Sequence, residues 1–297
     1  MALDNPAFNR PAFQDPKSAT ATRGGAQSGQ MSDPYYASQA SAQQTAQIDG
    51  LYATPPAGSI DTDRMTVEDT VWKTVGLFAA LLVTAVVGWV WTLSTVMTEG
   101  APNMTPWLIG MIGGFVLAMV NIFKKQPSVP LIVLYAAFQG LFVGGISAYF
   151  EFMYSGIVMQ ATLATVAVVG VTLALFASGK VRASKKATKI FMIAMIGYAV
   201  FSLLNLILMW TNVIPAGMMF GLHSAKFMGI PLGVIIGILV VIMAAYSLVL
   251  DFDMVQQGVR NGAPRKMGWT AAFGIMVTVI WLYVEILRIL AILRGNN

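Results

Sequence analysis

The chain has 297 residues, 57% of them apolar and only 10% charged, with a mean hydropathy of +0.69. A soluble chain carries about 25% charged residues, so this composition demands lipid as solvent. No cysteine means no disulfide, thiol nucleophile or cysteine-held metal, and a single histidine, His223, excludes a multi-histidine zinc site. The net charge of +5 comes from basic residues set between apolar runs, a topology signal rather than a nucleic-acid surface. Residues 1–65 are rich in Ala, Gln, Ser, Thr, Pro and Gly. They bury too little apolar surface to offset chain entropy, so a disordered tail is expected. With no apolar stretch in the first 70 residues, no cleavable signal peptide is expected either. The tail carries a near-repeat, NPAF at Asn5–Phe8 and RPAF at Arg10–Phe13, either a coincidence of low-complexity sequence or a docking motif for a partner.

Thr66 followed by Asp69 reads as a helix start, a hydroxyl cap with an acid in the first turn. Seven apolar runs follow, near 71–96, 107–123, 129–150, 157–178, 190–211, 230–252 and 269–293. Each has about the 17–25 residues that an α-helix needs to cross roughly 30 Å of hydrocarbon. The predicted fold is an all-α integral membrane protein, a seven-transmembrane-helix bundle over residues 66–297. Gly110, Gly113 and Gly114, then Gly140, Gly144 and Gly145, then the Gly233/Gly237 pair mark faces where helices approach closely.

Basic residues alternate between the connections. Arg64 and Lys73 flank the first run, Lys124 and Lys125 follow the second, and Lys180, Arg182, Lys185, Lys186 and Lys189 follow the fourth. Arg260, Arg265 and Lys266 follow the sixth, whereas the first and third connections carry no Lys or Arg and the fifth only Lys226. The positive-inside rule then predicts a cytoplasmic N-terminus and an outer C-terminus, and a multi-pass protein of the plasma membrane is expected.

Carboxylates at membrane depth cost about 2.5–3.5 kcal/mol each and point to function. Asp251 and Asp253 end the sixth run, but two residues apart on a helix they point about 200° from each other. Asp253 shares its face with Gln256, Gln257 and Arg260 and is expected to meet water. Asp251 shares its face with Ala244, Ser247, Leu248, Met254 and Val255 and is expected to face other helices. In the seventh run Thr278, Glu285 and Arg288 form a polar stripe, with Arg288 one turn from Glu285 and able to pair with it. The seventh run lacks a Schiff-base lysine, His223 falls in a connection, and no phosphate-binding glycine motif follows a strand. No enzymatic activity and no cofactor are expected.

Three stretches resemble the Bax inhibitor-1 family, the transmembrane Bax inhibitor motif proteins, and within it the bacterial branch with a long polar N-terminal tail. SLVLDFDMV (Ser247–Val255) is similar to the family's sixth helix, an apolar run ending in Tyr-Asp-Thr-Gln, with Asp251 on the family Asp and Asp253 on the Gln. AFGIMVTVIWLYVEILRIL (Ala272–Leu290) resembles the final helix, and LYAAFQGLFVGGIS (Leu134–Ser147) the Tyr…Gly-Leu…Gly pattern of the third. The resemblance implies a compact bundle whose last helix is enclosed by the others. It also implies a proton-sharing pair of Asp residues on the last two helices, tied to a pH-sensitive calcium leak. In register, Thr278 falls where the second family Asp lies, and Glu285, about 10 Å further along the axis, is the remaining acid of that helix. A shifted register instead sets LYVE (Leu282–Glu285) on the family's Leu-Tyr-Leu-Asp.

Two functions follow. One is a pH-modulated cation leak, with Ca²⁺ the cation and at most a weak site at Asp251, since Ca²⁺ takes six to eight oxygens. The other is a non-conducting membrane regulator that binds a membrane protease or a stress-response component through the tail. The ion- and proton-sensing candidates are Asp251, Glu285, Asp253, Thr278 and Arg288.

Overall fold

A computed structural model describes residues 63–295 except 125, 212, 215–217 and 219. The predicted disordered segment through residue 62, with both copies of the near-repeat, lies outside the described residues. Seven long helices are present among those described. They are α1 (Val67–Leu93), α2 (Thr105–Phe123), α3 (Val129–Met153), α4 (Ile157–Ala177), α5 (Lys185–Trp210), α6 (Leu232–Arg260) and α7 (Met267–Gly295). Each is long and apolar enough to cross a bilayer. A helical turn, Val96–Glu99, extends α1. A 3₁₀ turn, Gly221–Ser224, lies between α5 and α6. It leads into a short antiparallel hairpin of β1 (Lys226–Phe227) and β2 (Ile230–Pro231), with Lys226 opposite Pro231.

Local chemistry sets the boundaries. Thr66 caps α1, its Oγ1 accepting from the Asp69 N–H at 3.2 Å. Ser184 caps α5 in the same way, so that helix starts five residues before the apolar run. The largest difference from the sequence reading is α6, which continues as helix through Asp253, Gln256 and Gln257 to Arg260. Apolar run length measures contact with hydrocarbon, and a helix does not stop where it leaves it.

Many large apolar side chains point outward, among them Trp72, Leu82, Ile112, Leu206 and Ile242. A belt of this kind is stable only in hydrocarbon. The inside of the bundle is organised on α7. Half of its apolar window is buried, against 6% for α5, which makes α7 the central helix and α5 the peripheral one. Its main packing partners are α6, α1, α4 and α3. The tightest contact elsewhere is α1 on α3. There a Cβ on Gly144 would overlap the Ala85 carbonyl, and one on Gly140 would overlap the Leu81 carbonyl and the Thr84 hydroxyl. Glycine is required so that two backbones can meet.

The last residues of the predicted tail are an exception to it. Met65 is buried and its N–H donates to the Ala263 carbonyl at 2.7 Å, while the Arg265 N–H donates to the Asp63 carbonyl at 2.9 Å. Residues 63–65 are therefore ordered against the α6–α7 connection, held by backbone pairing and one apolar side chain.

Candidate functional site

Asp251 lies on α6, about two turns beyond Ala244, and has no exposed surface. It faces α7, where the Thr278 hydroxyl donates to Asp251 Oδ2 at 2.6 Å. Thr278 is buried as well. Met254, Met276 and Ile280 belong to one apolar cluster, and Ala244 and Leu282 to a second. The Asp251–Thr278 pair sits where the two clusters meet.

Glu285 lies about two turns further along α7, in a different setting. Tyr198 of α5 donates its hydroxyl to Oε1, and Arg288 donates Nη2 to Oε2. Glu285 and Arg288 form a buried ion pair, so the charge of Glu285 is already matched inside the protein. The bundle thus separates the two acids: the Thr278 hydroxyl is among the partners of Asp251, and Glu285 is held by a guanidinium and a phenol. Ala244 and Leu248 of α6 and Leu282 of α7, all buried apolar residues, lie along the helices between the levels of the two acids. The polar stripe expected on α7 is split into two sites by packing from α6.

Beside the Glu285–Arg288 pair the 3₁₀ turn carries His223, which is buried although it belongs to a connection. The amide of Asn205 organises this turn. Its Oδ1 accepts from the Leu222 N–H at 2.7 Å, and its Nδ2 lies 3.3 Å from His223 Nδ1. Burial, and then the nearby Arg288 guanidinium, push the imidazole down to about 4, partly opposed by the Phe220 carbonyl. His223 is neutral at physiological pH and does not titrate there.

At the end of the bundle where α1 starts, a second ion-pair group joins three elements. Asp69 pairs with Lys73 one turn on and with Arg265 of the α6–α7 connection, whose Nη2 is 3.1 Å from Oδ1. Lys73 Nζ also donates to the Arg265 carbonyl at 2.8 Å and lies 5.7 Å from the centre of the Trp269 ring. Lys73 is thus buried in a contact rather than solvated beside a helix end. Sequence spacing offered a signal, Asp and Lys at i,i+4 in the first turns of α1. Arg265 is 196 residues from Asp69, and nothing local announces it. Asp253 stands apart from all of these. It is partly exposed and accepts from Gln257 Nε2 at 2.8 Å on the polar side of α6. Tyr198 is the functional candidate that the sequence reading missed, because its partner comes from another helix.

These features define a class: a seven-span α-helical membrane protein with a buried carboxylate at the contact of its last two helices. The family model described as Bax inhibitor 1 like matches residues 5–295, and the chain belongs to that family. No curated protein and no solved structure matches it.

Proposed function

We propose that this protein is a non-enzymatic, pH-modulated cation leak of the plasma membrane, with Ca²⁺ as the cation, held closed in the arrangement described. The observation that carries the reading is Asp251, a carboxylate without exposed surface between α6 and α7, beside the neutral hydroxyl of Thr278 at 2.6 Å. In a low-dielectric interior the gain or loss of one proton at such a group changes its interactions by an amount comparable to helix packing. Its proton occupancy therefore biases the α6–α7 contact between a closed and an open arrangement. Ca²⁺ passes this group rather than residing there. Among the described residues no three His, Cys, Asp or Glu side chains gather as a metal site, and one carboxylate is far short of the ion's six to eight oxygens. The end of the bundle bearing Arg260, Arg265 and Lys266 faces the cytoplasm, which leaves the C-terminus outside.

The test is Ca²⁺ entry into dye-loaded liposomes carrying the full-length protein between pH 6 and 8. Flux should vary with pH in the wild type and lose that variation in Asp251→Asn. No flux at any pH, or an unchanged pH profile in the variant, contradicts the assignment. One observation favours a second reading, a non-conducting regulator that binds a membrane protease or stress-response partner: among the described residues, buried Ala244, Leu248 and Leu282 interrupt the polar groups between Asp251 and Glu285. Pull-downs from membranes with and without residues 1–60 separate the two. Capture that depends on the tail, with no flux, supports the regulator.

A further inference from the structure

Helices α1 and α4 are not main packing partners of each other; α3 and α7 lie behind the space between them. That space is a groove of about 560 Å³, walled by α1 from Phe78 to Trp89 and by α4 from Val158 to Val166, with Tyr283 of α7 on its floor. Its lips, Leu82 and Val166, are exposed, so the groove opens sideways into the hydrocarbon rather than to either end of the bundle. Its hydroxyls find partners within the protein. Tyr283 and Ser147 bond each other at 2.7 Å, and Thr165 donates to the Ala161 carbonyl at 2.7 Å. A surface that is almost wholly apolar and faces lipid selects an apolar occupant.

The dimensions suit an acyl chain. Phe78 to Trp89 is about eleven residues of helix, or about 16 Å, about half of the roughly 30 Å hydrocarbon thickness. Spread over that length, 560 Å³ gives a mean cross-section of about 35 Å². A polymethylene chain with carbon contacts at about 4 Å fills roughly 16–20 Å², so one or two chains fit. We propose that this groove is a binding site for the acyl chains of a single phospholipid drawn from the surrounding bilayer. The lipid completes the wall between α1 and α4 and covers the α7 face that carries Tyr283.

The experiment uses the full-length protein in phosphatidylcholine nanodiscs containing a small share of phosphatidylcholine with a mid-chain diazirine. After photolysis, adducts are mapped by peptide mass spectrometry. Adducts should concentrate on the Leu82–Val86 and Val158–Val166 stretches. Val166→Trp, which fills the groove, should lower them about tenfold while leaving labelling at Ile193, an exposed site on α5, unchanged. Leu82→Trp fills the groove from the other wall and serves if Val166→Trp fails to fold; Ile193→Trp controls for the added indole. Labelling that follows exposure alone, equal at Ile193 and in the groove and indifferent to both filling variants, overturns the proposal. So does a photo-crosslinking amino acid at Leu82 that captures a second copy of the chain in place of lipid.

Discussion

Arg288→Met would test how the bundle holds Glu285. In the wild type the carboxylate is buried between the Arg288 guanidinium and the Tyr198 hydroxyl. The variant keeps the apolar stem and the phenol but removes the positive charge. Removing one partner of a buried pair costs about 3–5 kcal/mol, because the other charge is left without compensation. At about 2–4 °C per kcal/mol for a chain of this size, the midpoint should fall by roughly 6–20 °C. The companion is Glu285→Gln with Arg288→Met. Gln keeps an acceptor for Tyr198 and leaves no charge, so the double variant should lie much closer to the wild type. The assay is thermal unfolding in one detergent, followed by intrinsic tryptophan fluorescence for the wild type, both single variants and the double. A non-additive cycle with the double variant more stable than Arg288→Met is expected. A single variant within a degree of the wild type would show that the pair is hydrated and that the burial argument for this site is wrong.

Thr278→Val keeps shape but withdraws the hydroxyl from Asp251, and should cost about 1–3 kcal/mol in the same melts; no change would mean that the 2.6 Å contact is not maintained. Gly144→Leu forces a side chain into the Ala85 carbonyl, so α1 and α3 must separate; a loss of about 1–3 kcal/mol or more and a lower folded yield are expected. His223 gives a pH dependence with a definite sign. Its value in the folded protein is about 4 against an ordinary 6.5, so between these limits the unfolded chain binds more protons than the folded one. This contribution is complete above pH 6.5 and is lost as pH falls towards 4, by at most about 3 kcal/mol in total and by less where solvent screens the ring. His223→Asn should flatten stability over that window; an unchanged slope would place the titration elsewhere.

The sequence was most informative where one physical constraint acts alone. Hydrocarbon thickness dictates the length of an apolar run, so all seven spans were visible in it. The Thr66 cap was visible because a cap is a local hydrogen bond, and the Glu285–Arg288 pair because three residues on a helix are neighbours. The inward turn of Asp251 was legible from the small apolar residues that share its face, whereas its bond to Thr278 was not. What stayed hidden depends on how helices are arranged in space. Tyr198 meets Glu285 only because α5 passes that point of α7, and Arg265 meets Asp69 only because the α6–α7 connection folds over the start of α1. The apolar run of α6 stops near residue 252 because hydropathy ends where water begins, while helical hydrogen bonding continues to Arg260, as the shared face of Asp253, Gln256, Gln257 and Arg260 implied. The groove between α1 and α4 is a gap, and a gap has no sequence signature of its own.

The most direct measurement compares the two acids in one assay: pH-dependent Ca²⁺ flux for Asp251→Asn beside Glu285→Gln in matched liposomes. With Asp251 as the titrating group and Glu285 held in an ion pair, Asp251→Asn should abolish the pH profile, whereas Glu285→Gln should shift its amplitude and keep its shape. A flat profile in Glu285→Gln together with a normal one in Asp251→Asn would assign the proton to the other acid and contradict the role given to Asp251.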